Sequence, residues 1–322
     1  MNEHKFFKNK TILITGGTGS LGCELTKYFL KNFKLKKLIL FSRDEQKHFH
    51  LEKKFNSHRL RFLIGDIRDF RRISLALKEV DYVIHAAAQK HVLLSEYNPQ
   101  ECVNTNILGT QNIIEACINQ KVKKCILIST DKSVNPINLY GATKLVAEKI
   151  TLNGNYLSGK NGTIFSAVRY GNVLGSKGSI LPFFSNLNKE GKKIPITHKD
   201  MTRFWISYKE AIELVILSLV HSRRGDIFIP MLNSIKITDF VKIINPKAKT
   251  FITGIKKGEK IHEELLTVEE SEYAKKLKHY YIVNQSLNKK NSRKFNYTSE
   301  HNLFDEKNIL KSTYIKIIKS FL

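Results

Sequence analysis

Residues 11–30 read Thr-Ile-Leu-Ile-Thr-Gly-Gly-Thr-Gly-Ser-Leu-Gly-Cys-Glu-Leu-Thr-Lys-Tyr-Phe-Leu. A short β-like apolar run, Thr11 to Thr15, stops at a glycine turn, and the residues after Gly22 take up helical periodicity. Strand, glycine turn and helix in that order form the setting in which a glycine run binds a dinucleotide. Without side chains in the way, backbone N–H groups approach a pyrophosphate at the helix N-terminus. The spacing Gly16-x-x-Gly19-x-x-Gly22 differs by one residue from the G-x-G-x-x-G form. Gly16, Thr18, Gly19, Ser20, Leu21 and Gly22 are the candidate cofactor contacts.

Working outward, a second apolar run, Leu38 to Phe41, ends in Ser42-Arg43 about 20 residues after Gly22. A carboxylate at that place holds the ribose 2′-hydroxyl of NAD, whereas a serine and an arginine suit a 2′-phosphate, so NADP is the expected cofactor. Lys47 adds a cation, and Asp44 and Glu45 pull the other way. The run Leu60 to Ile64 leads into Gly65-Asp66-Ile67, where an acid and a backbone N–H can read an adenine ring. The run Tyr82 to Ile84 leads into His85-Ala86-Ala87-Ala88-Gln89-Lys90-His91, whose small residues let the backbone lie against a cofactor. His85 and His91 have no third ligand at metal spacing, so they read as packed histidines and no metal is expected. A helix from Asn104 to Asn119 and a strand from Cys125 to Ile128 follow. The alternation implies an α/β fold: a doubly wound parallel sheet with its ligand crevice at the strand C-termini.

The next stretch, Ser129 to Lys144, carries the chemistry. Thr130, Asp131 and Lys132 stand where a buried strand emerges into a loop, and Tyr140 and Lys144 are spaced i and i+4, one turn apart on one helix face. An ammonium beside a phenol favours the phenolate, which brings its pKa towards the range of a useful base. A Tyr-x-x-x-Lys alone is usually an ordinary helix start. Here it follows a hydroxyl, an acid and a base, downstream of a cofactor loop.

The remaining composition narrows the class. The 322 residues include 42% hydrophobic and 26% charged side chains, close to globular averages. No apolar run reaches the roughly 18 residues of a membrane span and the N-terminus lacks a signal-peptide core, so the expected location is cytoplasmic. Cys23, Cys102, Cys117 and Cys125 lack Cys-x-x-Cys spacing and read as reduced core thiols. The net charge of +25 invites a nucleic-acid reading, but the lysines are scattered and no finger or RNP motif is present, so a small anionic ligand is the expected partner.

Together these motifs, with Arg169-Tyr-Gly-Asn-Val, resemble the extended short-chain dehydrogenase/reductases that act on nucleotide sugars. Closer still, Ser-Arg-Asp-Glu at 42–45, Gly-Asp-Ile-Arg-Asp at 65–69, Lys-His-Val at 90–92, Thr-Asp-Lys at 130–132, Asn-Pro-Ile-Asn-Leu-Tyr-Gly-Ala-Thr-Lys at 135–144, Met-Thr-Arg-Phe-Trp-Ile at 201–206 and Gly-Glu-Lys-Ile-His-Glu at 258–263 resemble the inverting UDP-N-acetylglucosamine 4,6-dehydratases of pseudaminic acid synthesis. The resemblance implies that Tyr140, helped by Lys144, takes the O4 proton during transient C4 oxidation by NADP. Lys132 then removes the C5 proton, Asp131 protonates the departing C6 hydroxyl, and Thr130 orients O4. Lys132 would need to be neutral, an effect expected from burial beside Lys144. The resemblance also places Val173 and Lys90 at the cofactor, and Lys90, Asn172, Lys177, Ser179, Arg203, Lys256 and Glu259 around UDP-N-acetylglucosamine. A lysine at 256 replaces the family's arginine and lacks its bidentate fork, which leaves Lys257 as an alternative. It further implies a homo-oligomer, dimer or hexamer. The alternative readings are an epimerase, or a dehydratase/epimerase for capsule or O-antigen sugars, and a catalytically silent binding protein.

Residues 1–170 are thus expected to form the NADP-binding Rossmann domain, its sheet completed by part of 205–245, with 171–322 mainly a substrate-binding lobe. Ser207 to Glu210 reads as a capping box, and the Lys-, Asn- and Ser-rich stretch 284–296 as a mobile loop.

Overall fold

The computed structural model describes residues 2–286, 291, 294–304 and 313–322. Apolar runs bounded by turns give strands β1 (Thr11–Thr15), β2 (Lys37–Ser42), β3 (Leu60–Ile64), β4 (Tyr82–His85), β5 (Lys124–Thr130) and β6 (Ile164–Tyr170). Beyond them lie β7 (Asn172–Val173), β8 (Ile194–Ile196), β9 (Thr202–Ile206), β10 (Ile227–Pro230), β11 (Ser234–Lys236), β12 (Thr250–Ile252), β13 (Glu264–Leu266), β14 (Ala274–Lys276), β15 (Tyr280–Val283) and β16 (Tyr297–Thr298).

Among the described residues the main sheet runs β14-β15-β10-β6-β5-β4-β1-β2-β3. From β3 to β10 its neighbours are parallel; β15 and β14 are added antiparallel at one edge. The central strands are buried on both faces, which is why β1 is apolar without alternation. One face packs Leu25, Phe29 and Val215 against the sheet, the other Ile73, Ile113 and Cys117. The expected α/β class and the parallel doubly wound order are as read from the sequence. The chain returns to the sheet more than once after residue 170, however: β10 falls within 205–245, whereas β14 and β15 come from the stretch assigned to the substrate lobe.

The second lobe has its own core, in which Trp205 stacks on Phe240 at 4.4 Å with Leu181 and Ile318 nearby. A three-stranded sheet, β11-β9-β7, ties it to the end of β6. The capping box at Ser207 and Glu210 forms as read and starts the helix Tyr208–His221.

The expected helix from Asn104 differs at its start, where Asn104–Leu108 is a π turn that precedes the α-helix Gly109–Asn119. The wide turn aims Asn106 at the loop after β4. Its side chain accepts from Gln89 N at 2.8 Å and donates to Gln89 O and to Thr143 Oγ1, both at 3.0 Å. Of the stretch 284–296, Asn284 and Asn291 are anchored by hydrogen bonds, Asn284 to Asp226 and Asn291 to Ala274. Residues 287–290, 292 and 293 lie outside the described residues. All four cysteines are free thiols, and no helix of the described residues is long and apolar enough to cross a membrane.

Candidate active site

The glycine loop lies where the strand order reverses, between β1 and β4, at the strand C-termini. Gly16 has φ +65°, and a Cβ there would stand 3.0 Å from the Ala87 backbone; a Cβ on Gly22 would come within 2.4 Å of Gly17 O. Only glycine permits the loop to lie on Ala87 and the helix Ser20–Asn32 to lie on the loop. The result is a backbone cradle at a helix N-terminus that side chains do not fill, which fits a pyrophosphate.

A cleft of about 1420 Å³ opens from this cradle towards the second lobe. Every expected cofactor- and substrate-binding residue lines it except Glu45, which begins the helix Glu45–Phe55 outside the wall, and Lys257, the alternative to Lys256. Asp44 lines it, but its carboxylate caps that helix, accepting from Lys47 N at 3.0 Å and from the Lys47 ammonium. Lys177 N donates to Ser20 Oγ at 3.2 Å, and Lys90 Nζ donates to Lys177 O at 2.9 Å, so the loop after β7 is strapped across the cradle.

Of the catalytic candidates, Thr130, Lys132, Tyr140 and Lys144 line the cleft. Asp131 does not: it is fully buried, with Oδ1 accepting from Thr130 Oγ1 and from Lys132 Nζ, both at 3.0 Å. β5 delivers Thr130, and a single 3₁₀ turn, Asp131–Ser133, sets the acid and the amine side by side. The helix Leu139–Leu157 then begins so close to this turn that a Cβ on Gly141 would meet Lys132 O at 2.1 Å, which accounts for the glycine after Tyr140.

The electrostatics depart from the sequence expectation at three points. Lys132 Nζ has Asp131 Oδ1 at 3.0 Å, Glu263 Oε1 at 3.1 Å and Asn172 Oδ1 at 3.4 Å. Burial depresses its ammonium, but the two carboxylates outweigh burial and the opposing Arg203, and hold it above the usual lysine range. Burial pushes the Tyr140 phenol up to about 12, against the pull of Lys132 and a hydrogen bond with Thr130. Lys144 turns to donate to Ile128 O at 2.7 Å, and burial lowers its amine to about 8 although Glu148 raises it. Asp131 is raised, by burial first and by Glu263, with Lys132 opposing.

Glu263 was missed by the sequence reading, which chose Glu259 from the same Gly-Glu-Lys-Ile-His-Glu motif. The motif was the signal; which of its carboxylates reaches Lys132 is a matter of long-range folding. Glu259 accepts from Lys256 N at 3.3 Å, and both residues line the cleft. Arg203 is committed to protein groups: its guanidinium donates to Thr202 O at 2.7 Å, Ile261 O at 3.0 Å and Lys260 O at 2.9 Å, and stands 3.7 Å from Glu263. It therefore fixes the Glu263 segment. His85 is a packed histidine, bonded to Thr15 Oγ1 at 2.7 Å and Thr110 Oγ1 at 3.0 Å, with burial lowering its pKa to about 3.

Residues 12–285 match the family of polysaccharide biosynthesis proteins. The chain belongs to this family. Its Rossmann sheet with an appended lobe is the build of an extended short-chain dehydrogenase/reductase. Over 282 residues it is 48% identical to the inverting UDP-N-acetylglucosamine 4,6-dehydratase of Campylobacter jejuni strain 81-176, covering 87% of this chain and 84% of that enzyme. It is 40% identical over 284 residues to the UDP-glucose 4-epimerase of Rickettsia rickettsii, covering 86% and 83%. The X-ray structure of Pen from Bacillus thuringiensis superposes with a TM-score of 0.92 at 38% identity, covering 98% of this chain and 99% of that one.

Proposed function

We propose that this member of the family is a UDP-N-acetylglucosamine 4,6-dehydratase that inverts C5, with NADP as its resident cofactor. The observation that carries the reading is Lys132 at the cleft wall beside Thr130 and Tyr140, with the buried Asp131 paired to it from behind. A 4-epimerase needs a hydroxyl, a tyrosine and a lysine; an acid and a base beside them serve an elimination. The identity to the Campylobacter jejuni enzyme supports the substrate class.

The glycine cradle, Ser42-Arg43, Asp66, Ile67, Ala86, Lys90 and Val173 would hold the dinucleotide. When bound, it supplies a reversible two-electron oxidation, at C4 of the sugar first and undone at C6 last. Tyr140, whose buried phenol must first give its own proton to solvent, takes up the O4 proton as the phenolate, and Thr130, bonded to Asp131, orients that oxygen. Lys132 passes its proton to Asp131 Oδ1, 3.0 Å away, which turns an ion pair into a neutral base and a neutral acid without exchange with solvent. Burial of Asp131 favours this transfer. The Lys132 amine then takes the C5 proton, made acidic by the neighbouring ketone. Asp131 returns its proton through the Thr130 hydroxyl to the C6 hydroxyl, which departs as water, and the starting ion pair is restored. After reduction at C6 the C5 carbon takes a proton from solvent on the face opposite Lys132, which completes the product and inverts that centre.

Asn172, Lys177, Ser179, Lys256 and Glu259 would contact the UDP-sugar across the cleft. A homo-oligomer belongs to the same reading, supported by the exposed Leu93, Leu94 and Tyr97 on the helix Val92–Tyr97; sedimentation tests it. The deciding experiment is incubation with UDP-N-acetylglucosamine in deuterated water, with the product identified by NMR. A 4-keto-6-deoxy sugar inverted and deuterated at C5 is expected. A C4 epimer alone would replace this reading with the epimerase, which the Rickettsia rickettsii relative favours.

A further inference from the structure

One corner of the cleft carries a hydrogen-bonded chain that the chemistry above does not use. Thr18 Oγ1 lies 2.8 Å from Ser42 Oγ, which lies 2.9 Å from His48 Nε2. The same Nε2 is 3.2 Å from the Ser42 carbonyl oxygen. A carbonyl only accepts, so Nε2 carries the hydrogen and the ring donates to Ser42. Nδ1 is then the bare nitrogen, and it is buried without a partner among the described residues.

The hydrogens of this chain can be counted. The two hydroxyls bring two, one of which lies between Thr18 and Ser42. Because His48 donates and does not accept, it consumes neither. One hydroxyl hydrogen therefore remains at the cleft wall, which both Thr18 and Ser42 line.

The carboxylates nearby are already engaged. Asp44 accepts from Lys47 twice, and Asp66 accepts from Arg68 N at 2.9 Å and from its guanidinium at 2.7 and 2.9 Å. Arg43 is more than half exposed and only 3.6 Å from Asp66. The corner is rich in donors and short of free acceptors. That suits a phosphate, which accepts only, over a hydroxyl that must also give away its hydrogen.

We infer that His48 is a specificity-positioning residue for the 2′-phosphate of the dinucleotide: by donating to Ser42 it fixes that hydroxyl in place without consuming its hydrogen, which stays aimed at the phosphate. The inference rests on the NADP reading above and adds a residue that never touches the ligand.

The full chain is titrated calorimetrically with NADP⁺ and with NAD⁺. His48→Leu removes the donor, and the Kd for NADP⁺ is expected to rise about tenfold while that for NAD⁺ stays within about twofold, the effect of one charge-assisted hydrogen bond. His48→Gln keeps an N–H near the Nε2 position and restores NADP⁺ affinity. Should His48→Leu not fold, as judged by circular dichroism, His48→Asn, whose shorter amide falls short of Ser42, carries the same expectation. Equal weakening of both dinucleotides, or no rescue by glutamine, overturns the inference. A wild-type chain that binds NAD⁺ as tightly as NADP⁺ overturns the NADP reading itself, and is distinguishable because no substitution is involved.

Discussion

Two buried clusters of charge are built from similar parts and finished differently. Around Arg169, the guanidinium meets Glu148 Oε2 at 2.6 Å, Glu270 Oε2 at 2.7 Å and Oε1 at 2.9 Å, and Leu265 O at 3.0 Å. Ser133 Oγ completes Glu148 at 2.7 Å. Around Lys132, by contrast, Asp131 Oδ2 and Glu263 Oε2 are buried with no partner among the described residues. Buried charge is costly unless its hydrogen bonds are complete. The satisfied cluster ties β6 to the helix Leu139–Leu157 and to the helix Val268–Ser271, and so holds the end of β5 in place. The unsatisfied one keeps spare acceptors beside the cleft, as a site that must exchange protons requires.

Breaking each cluster should therefore give different phenotypes. Lys132→Ala is expected to lower turnover by at least about 10³-fold, the share a positioned base supplies. C5 deuterium exchange should vanish while transient reduction of bound cofactor survives; exchange that persists would assign the base elsewhere. Arg169→Met should instead cost about 3–5 kcal/mol of stability in urea unfolding, because two carboxylates lose their partner in the interior. A loss below about 1 kcal/mol would mean that water reaches those carboxylates and that the cluster is not the structural one.

The contrast also explains what could be read in advance. β1, β2, β4 and β5 announce themselves as apolar runs because both sheet faces are covered there, and the glycine loop because its spacing is local. Thr130, Asp131, Lys132, Tyr140 and Lys144 fall within one short stretch, so their proximity follows from one strand, one turn and one helix. Charge states do not follow from proximity within that stretch. Glu263 arrives from far along the chain and joins Asp131 in holding Lys132 charged, against the expected sign, and Lys144 faces the Ile128 carbonyl. β14 and β15 were missed for a related reason: Ala-Lys-Lys and Tyr-Tyr-Ile-Val are short and half exposed, and only the pairing of β15 to β10 and of β14 to β15 makes them strands.

Glu263→Gln sharpens the comparison by removing one of the two carboxylates that hold Lys132 charged. The Lys132 ammonium should then lose its proton more readily, so the limb of the kcat profile that reports it moves to lower pH. Turnover at neutral pH should change by roughly tenfold or less, since the base and acid remain. An unmoved pH limb with a large loss of kcat would make Glu263 a contact of the sugar and not a partner of the amine.

The smallest effect concerns Asp131 and has the opposite sign to its catalytic importance. Its folded pKa is raised above the ordinary value of 3.8, so its ionised form costs stability at neutral pH, and the cost fades as pH falls through the folded value. Glu148 runs the other way: Arg169 and the serine hydroxyls outweigh its burial and depress it below the ordinary 4.5, so its stabilisation is present above that value and is lost as acid reaches the folded one. Asp131→Asn should therefore leave stability at pH 7 unchanged or higher by up to about 1 kcal/mol while abolishing dehydration, with the gap to wild type closing in acid. Urea unfolding at pH 7 and again near the ordinary aspartate value measures both ends. A variant clearly less stable at neutral pH, with a gap that persists in acid, would show that the Asp131–Lys132 pair stabilises the fold as the Arg169 cluster does, and the division between finished and unfinished charge would fail.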